Sequence, residues 1–209
     1  DTRLEDELSM AARLHVSRPT ARQALQRLVD RGLLTRRRGV GTIVSPRHVH
    51  RPMELTSLMR DLIDAGHKVH TTIQRYEARP TNVQEADILK IAEGTLITHI
   101  ERTRFANDEP IAVLTNFIPT DIAPTMQELE SASLYDLMRE RGVTLASARQ
   151  VIGARSATTK EAKLLSEHRG AALLTTQRTT YDPTGRIVEY GNHIYRASRY
   201  SFEASLFAQ

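Results

Sequence analysis

The segment from residue 16 to residue 34 constrains the fold most, because a helix start, an apolar stripe and a basic stripe coincide in it. Ser17 is a favourable helix N-cap, and Pro19 is tolerated because it falls in the first turn. Apolar residues then recur at helical spacing, at Ala21, Ala24, Leu25 and Leu28. A second face carries Arg18, Arg22 and Gln26, which repeat every four residues. The segment therefore predicts a short amphipathic helix with a cationic front, ended by Gly32.

Two interpretations of this helix are open. A run of charge on a helix is often only a solvated face. The same features suit a helix in the major groove, where its N-terminus lies near phosphate and arginine bonds both acceptors of guanine. The neighbouring residues favour DNA binding, since residues 4–15 predict a preceding helix and leave room for a tight corner. Downstream, short predicted strands at 33–35 and 42–44 flank the basic turn 36–41, which is typical of the wing of a winged helix-turn-helix.

Residues 4–44 resemble the DNA-binding half of the GntR family of bacterial transcription regulators, through the run VSRPTARQALQRLVDRGLLTRRRGVGTIV. The resemblance implies that the start of the helix contacts phosphates and base edges in the major groove, through Ser17, Arg18, Thr20 and Arg22. It also implies that Arg38 and Gly39 place the tip of the wing in the minor groove. We expect Arg36 and Arg37, which precede the tip, to contact phosphates.

This segment departs from the family pattern in three respects. Glu5 follows Leu4 where the family usually reads Leu-Pro-Ser-Glu-Arg, and Leu8 stands where an arginine that contacts DNA is common. The family also has a further helix before this point. We therefore expect no contact of that kind from position 8, and we expect the first helix of the domain to be missing from this sequence.

Charge divides the chain into two parts. Residues 1–51 contain 11 arginines and 5 acidic residues, a net charge of +6, whereas residues 52–209 contain 18 basic and 20 acidic residues, a net charge of −2. The basic charge thus lies in the part that is predicted to bind a polyanion. The absence of cysteine excludes disulfides, cysteine-based zinc sites and thiol catalysis. Because the sequence has no apolar run long enough to span a bilayer and no signal-peptide pattern, we expect a cytoplasmic protein that does not enter a membrane.

A short charged segment bounded by Pro46 and Pro52 is interpreted as a linker, because proline stops helices and sheets from running through it. The predicted domains are a winged helix-turn-helix over 1–46, a linker over 47–54, and an effector-binding and dimerisation domain over 55–209. Spacing alone would allow metal binding by His48 and His50, or by His67 and His70. No further ligand lies close to either pair in sequence, so we predict no metal and no cofactor.

The second part of the chain contains an internal repeat. Residues 82–119 align without gaps with residues 158–195, and the alignment contains nine identical pairs. These are Glu85/Glu161, Ala86/Ala162, Leu89/Leu165, Gly94/Gly170, Arg102/Arg178, Thr103/Thr179, Ile111/Ile187, Asn116/Asn192 and Ile118/Ile194. Each copy predicts a helix, a glycine stop and a β-hairpin. With further strands at 69–79 and 147–157, the sequence predicts an α+β domain with a six-stranded antiparallel sheet and helices on one face.

Residues 55–209 resemble the UTRA module, which follows the winged helix in the HutC-type branch of the GntR family and is similar in fold to chorismate lyase. The resemblance lies mainly in the runs RTTYDPTGRIVEYGNHIYRASRYSF and ERTRFANDEPIAV. It implies a sensor for a small molecule and a homodimer.

The most informative pair in this module is Arg102 and Arg104, whose side chains share one face of a strand because they are two residues apart. Two adjacent guanidinium groups repel each other unless negative charge lies between them. That charge could come from carboxylates across the hairpin, or from a phosphate or carboxylate ligand. The resemblance favours the ligand, since sensors of this type commonly use an Arg-x-Arg pair.

A second set of candidates lies on the last long strand, where Glu189, His193 and Tyr195 share a face. Glu189 and Tyr195 match positions that contact sugar phosphates in the resembling domains, although Glu189 could instead only balance Arg178. Thr56, Asn116 and His193 are further effector-binding candidates. At position 114 the chain has leucine where the family commonly has glutamate, so we expect an effector with fewer hydroxyl groups than an amino-sugar phosphate.

Three functional hypotheses follow. The first is a repressor that binds a palindromic operator as a homodimer and responds to a small anionic metabolite. The second is an enzyme that uses the lyase-like domain, but residues 55–209 provide no evident nucleophile–base pair. The third is a DNA-binding protein without an effector, in which the second domain serves only dimerisation.

Overall fold

The computed structural model describes residues 4–30, 34–37, 41–44, 49–52 and 55–203. The chain forms two compact units, residues 1–49 and residues 50–209. No helix in the described part of the chain has the length and apolar character that crossing a membrane requires.

The first unit contains the predicted helix pair and hairpin. Helix α1 spans Glu7–Arg13, helix α2 spans Arg18–Asp30, and strands β1 (Leu34–Arg37) and β2 (Gly41–Val44) pair antiparallel. The backbone N–H of Thr20 donates to Ser17 Oγ at 3.3 Å, as expected for a helix N-cap. The apolar stripe of α2 is only partly inside, since Ala21 and Leu25 are buried and Ala24 is exposed. Gly32 and the tip of the hairpin lie outside the described residues.

The second unit is built on a six-stranded antiparallel sheet. Its strands are β4 (Val69–Pro80), β5 (Leu96–Ala106), β6 (Glu109–Pro119), β7 (Ser147–Ser156), β8 (Ala172–Tyr181) and β9 (Ile187–Arg196). They lie in the order β4-β5-β6-β9-β8-β7. The α+β class and the six predicted strands are confirmed.

Part of the predicted linker is a strand. Strand β3 (Val49–Pro52) pairs with strand β10 (Tyr200–Glu203) in a separate two-stranded sheet. The prediction that Pro52 keeps this segment out of any sheet is therefore wrong, because proline is compatible with the last position of an edge strand. The domain limits at residues 46 and 55 stay predictions.

Helices cover both faces of the large sheet, which corrects the prediction of helices on one face. Helix α6 (Leu134–Glu140) packs on the face of Ile100 and Ile118. The opposite face is covered by α4 (Val83–Leu89) and α7 (Thr159–Leu164), which lie in apolar clusters with residues such as Ile97 and Val113. The remaining helices are α3 (Leu58–Asp64), which Ser57 caps, and α5 (Met126–Ser131). A 3-10 turn spans Thr120–Ile122.

The internal repeat is visible in the structure as two β-α-β-β units, β4-α4-β5-β6 and β7-α7-β8-β9, which meet at the β6–β9 pair. Each unit has the same Arg–Glu ion pair between its first strand and its helix. Arg79 bonds Glu85 at 2.6 and 2.7 Å in the first unit, and Arg155 bonds Glu161 at 2.5 and 2.7 Å in the second. Both glutamates also complete a capping box at the start of the helix.

The two copies differ in register by one residue in their last strands. Arg102 pairs with Leu114 in the first hairpin, and Arg178 pairs with Gly191 in the second. The ungapped alignment matches Arg102 with Arg178, but it matches Leu114 with Tyr190, one residue before Gly191. The alignment therefore holds through β8 and slips in β9, so the residue equivalent to Asn116 is His193, not Asn192.

Candidate functional site

A cavity of about 360 Å³, including its open mouth, lies in the second unit on the face of the sheet that α3 and α6 cover. Four strands and two helical segments contribute its walls. The lining residues are Ser57, Leu58, Met59, Arg102, Arg104, Leu114, Asn116, Leu134, Tyr135, Arg178, His193 and Tyr195.

Arg102 is 2% exposed and lies on the cavity wall. Its Nη2 donates to Asn116 Oδ1 at 2.8 Å, whereas its Nε and Nη1 have no hydrogen-bond partner among the described residues. Burial lowers the pKa of the Arg102 guanidinium to about 10, although the Glu189 carboxylate acts in the opposite direction. Arg102 therefore stays charged at neutral pH with two donor groups unused.

Arg104 is equally buried, and its Nη1 donates to Thr71 Oγ1 from the neighbouring edge strand. Its Nε has no partner in the described part of the chain. Burial and then the charge of Arg102 lower the pKa of Arg104 to about 9. The hydrogen-bond partners that the described residues give these two guanidiniums, Asn116 and Thr71, are uncharged. Two buried like charges are costly without a counter-ion.

Glu189 lies behind the cavity wall instead of lining it. Its side chain is fully buried and accepts hydrogen bonds from Asn116 Nδ2 at 2.6 Å, Thr180 Oγ1 at 2.7 Å and the Tyr135 hydroxyl at 3.2 Å. Burial, and next the charge of Glu189, raises the pKa of Tyr135, which therefore stays neutral. Through these bonds Glu189 holds Asn116 and Tyr135, which line the cavity, in place.

Arg178 is a cavity residue that the site prediction did not include. Its guanidinium carbon lies 4.9 Å from the ring centroid of Tyr135, within cation–π distance. The signal that could have found it is the internal repeat, because Arg178 is the equivalent of Arg102 in the second copy. The cavity is therefore lined by three arginines.

His193 and Tyr195 line the cavity as predicted candidates. His193 Nε2 lies 3.2 Å from Asn116 Nδ2, and its Nδ1 lies 3.3 Å from the Tyr195 hydroxyl. Gly191 keeps this corner open, because a Cβ atom there would meet Glu189 Oε1 at 2.5 Å and His193 Nε2 at 2.6 Å. Any larger residue at position 191 would displace the side chains that hold Asn116.

At the start of α3, the predicted effector-binding residue Thr56 is not the one that lines the cavity. Thr56 donates to Asp61 Oδ2 at 3.1 Å and does not line the cavity. Ser57 lines it instead and also caps α3 by accepting from Met59 N at 3.2 Å. Leu58 and Met59 add apolar surface to the same wall.

The DNA-binding candidates in the first unit are placed as follows. Ser17, Arg18, Thr20 and Arg22 are exposed at the start of α2. The hydroxyls of Ser17 and Thr20 are 2.8 Å apart. Arg36 and Arg37 belong to β1, but only their backbone is described, and Arg38 and Gly39 lie outside the described residues.

The described residues contain no group of three or more histidine, cysteine, aspartate or glutamate side chains that could hold a metal ion. His67 Nδ1 lies 2.9 Å from Asn107 Nδ2, and His70 stacks on Phe105 with ring centroids 4.4 Å apart. His48 lies outside the described residues.

Comparison with protein families gives two matches. The model described as "Bacterial regulatory proteins, gntR family" matches residues 2–44, and the UTRA domain model matches residues 64–201. Together these models cover both structural units.

Two relatives and one solved structure resemble nearly the whole chain. The chain is 34% identical to the HTH-type transcriptional repressor NagR of Bacillus subtilis (strain 168), over 97% of this chain and 84% of that protein. It is 31% identical to the probable transcriptional regulator PhnF of Escherichia coli (strain K12), over 95% of this chain and 84% of that one. The crystal structure of PhnF from Mycobacterium smegmatis superimposes with a TM-score of 0.90, covering 100% of this chain and 93% of that chain, at 24% identity. The last similarity supports the fold alone.

Proposed function

Because this chain belongs to the GntR family of bacterial regulatory proteins and carries a UTRA domain, we propose that it is a repressor controlled by a small anionic metabolite. The family assignment confirms the resemblance found in the sequence. It also makes the chain a transcription regulator and not an enzyme. The identity of the metabolite, the operator and the oligomeric state belong to the proposal.

One observation carries the choice of an anion. Arg102 and Arg104 lie buried beside each other on the cavity wall with three guanidinium nitrogens unused, and no carboxylate of the described residues contacts them. A phosphate or carboxylate would supply both the missing charge and the missing acceptors. Arg178 adds a third positive charge to the same cavity.

On the DNA side, we propose that α2 reads the major groove and that two copies read an inverted repeat. A single recognition helix contacts only a few base pairs, so a dimer is needed to specify a site. The exposed group at the start of α2 supplies hydroxyl and guanidinium donors for phosphates and bases. Repression is proposed because the relative NagR is named as a repressor.

The test measures DNA binding and ligand binding on the full chain. Random-sequence DNA selected on the protein would define the operator, and a thermal-shift screen of phosphorylated sugars and small carboxylates would find anions that stabilise it. We expect at least one anion to raise the melting temperature and to change operator affinity. A protein that binds its operator but is indifferent to every anion would instead be a DNA-binding protein without an effector.

A further inference from the structure

The cavity offers many hydrogen-bond donors and very few acceptors. Three of its lining side chains are arginines, which donate only. Asn116 is already used on both sides, since it accepts from Arg102 and donates to Glu189. No aspartate or glutamate of the described residues lines the cavity, because Glu189 lies behind its wall. The remaining side-chain acceptors on the wall are the hydroxyls of Ser57 and Tyr195 and the ring of His193, so a ligand hydroxyl would find few atoms to which it could donate.

The rest of the lining is apolar. Leu58, Met59, Leu114 and Leu134 contribute side chains to the cavity, and Leu114 lies directly opposite Arg102 in the β5–β6 register. Burying a hydroxyl against such side chains without a hydrogen bond is costly. The donor-rich wall therefore suits an anionic group, and the adjacent apolar wall suits a part of a ligand that carries no hydroxyls.

We propose that the effector is a compact organic anion with an apolar body, and not a phosphorylated polyol. This inference rests on the proposed function, because it concerns the ligand of the same cavity. Leu114 sets the specificity, since it stands beside the anion site and cannot accept a hydrogen bond.

The test compares two phosphate monoesters with the same three-carbon skeleton, propyl phosphate and glycerol 3-phosphate, by calorimetry on the full chain. They differ by two hydroxyl groups, so we expect propyl phosphate to bind about tenfold more tightly or better. In Leu114→Glu the new carboxylate would accept from a ligand hydroxyl and lie opposite Arg102, so the preference should fall or reverse. Leu114→Gln is the uncharged alternative if the first variant does not fold.

Different results would overturn the anion site and the apolar body of the effector. Equal or tighter binding of glycerol 3-phosphate to the wild-type protein would overturn the choice of an apolar body and leave the anion site standing. If neither ester bound, the anion site itself would be overturned. A thermal-shift control with Arg104→Met should lose binding of both esters.

A second inference concerns strand β7, which ends the sheet opposite to β4. The two are equivalent edge strands of the internal repeat, but β4 is better protected against pairing than β7. It has a register shift between Ile73 and Arg75, ends in Pro80, and exposes charged residues at positions 75 and 77. Such features keep edge strands from pairing with other chains.

Strand β7 contains no proline, and its exposed charged residues, Arg149 and Arg155, lie toward its ends instead of at its centre. The residues equivalent to Arg75 and Glu77 are Val151 and Gly153, and its pairing with β8 has no register shift. Val151 is 53% exposed and Ile152 is 37% exposed. The outer edge of β7 has no strand beside it among the described residues.

We infer that β7 pairs antiparallel with β7 of a second copy, so that the two sheets become continuous. The register that overlaps the whole strand is self-complementary. It sets Val151 opposite Ile152 of the partner subunit at the centre of the pair. Each arginine of the strand, Arg149 and Arg155, then stands opposite an alanine, so no like charges face each other.

The test is the oligomeric state of the full chain without DNA, measured by analytical ultracentrifugation. Val151→Lys combined with Ile152→Lys would place four lysines around the two-fold axis, so we expect the dimer dissociation constant to rise about a hundredfold or more. Thr72→Lys, on the exposed part of β4, is the matched control and should dimerise normally. A double variant that keeps its melting temperature and dimerises as tightly as wild type would overturn this interface alone. A monomeric wild-type protein would overturn the proposed dimer as well.

Discussion

At the scale of single residues, Arg104 is the most direct test of the anion site. Arg104→Met keeps most of the side-chain volume but removes a buried charge that lacks a counter-ion, so we expect unchanged or higher stability. The same change should abolish the stabilisation by anions. Arg169→Ala, an exposed site, is the control for loss of one positive charge. Thermal unfolding with and without the anion measures both effects, and a stable variant with normal anion affinity would exclude Arg104 from the site.

Also at the residue scale, His99 should make stability depend on pH. It is 9% exposed, stacks on Phe117 at 4.5 Å, and both ring nitrogens lack a partner among the described residues. Burial, and next the charges of Arg75 and Arg79, lower the pKa of His99. The unfolded chain therefore takes up the proton first, and stability falls as the pH drops below the ordinary histidine pKa of about 6.5.

Denaturant unfolding between pH 8 and pH 5.5 would measure this dependence, with His99→Leu as the variant that should lose it. His168→Leu, on an exposed histidine, is the control and should behave like the wild-type protein. If the unfolding free energy of His99→Leu depended on pH as steeply as that of the wild-type protein, a group other than His99 would be responsible.

At the scale of elements, α2 should discriminate between operator and random DNA through its first turns. Arg18→Ala or Arg22→Ala should cost roughly 1–3 kcal/mol at the specific site if the arginine bonds a base. Arg27→Ala, in the last turn of the same helix, is the control with the same change in charge. Fluorescence anisotropy on operator and random DNA measures the difference. Wild-type affinity of Arg18→Ala for its operator would contradict the assignment of α2 as the recognition helix.

The wing predicts a different pattern. Arg36→Ala and Arg37→Ala should weaken binding to all sequences alike, because phosphate contacts carry no sequence information. Each should reduce the slope of log affinity against log salt by about one. A selective loss on the operator alone would indicate base contacts instead.

Because the same Arg–Glu pair joins strand and helix in both copies of the repeat, we expect its removal to lower the unfolding free energy equally in the two copies. Glu161→Ala removes the bond to Arg155 and the capping box of α7, so we expect a loss of about 1 kcal/mol in unfolding free energy. Glu85→Ala should cost a similar amount in α4.

The hydrogen bond from Arg155 is the main cause that lowers the pKa of Glu161 to about 2. The contribution of the Arg155–Glu161 pair to stability is therefore present above pH 4.5 and lost as the pH falls toward 2. Urea unfolding of Glu85→Ala and Glu161→Ala measures the two losses of unfolding free energy, and clearly unequal losses would contradict the prediction.

At the scale of the whole molecule, the question is how ligand in the second unit changes DNA binding by the first. A hundredfold change in operator affinity corresponds to about 2.7 kcal/mol of coupling, and operator DNA must then change effector affinity by the same factor. A Gly/Ser insert between residues 44 and 49, before β3, should preserve effector binding and reduce this coupling. The same insert in the exposed turn 183–185 is the control. Full coupling through the first insert would rule out transmission along the segment that joins the units.

The sequence by itself determined the features that depend on neighbours along the chain. Helix spacing and capping residues predicted α2, and the internal repeat, together with the strand patterns beside it, predicted the six strands. Strand alternation placed Arg102 and Arg104 on one face, where the structure has them. These features follow from the periods of helix and strand, which local residues set.

Only the tertiary structure decided which of these residues meet. The one-residue slip of β9 arises in the turn, since Tyr181 pairs with Ile187 whereas the equivalent Phe105 pairs with Pro110, and it puts His193 where the alignment put Asn192. Packing of α6 brings Tyr135 to Arg178 and Glu189, which leaves Glu189 behind the cavity wall. Register and helix packing depend on contacts between residues far apart in sequence, so no local period predicts them.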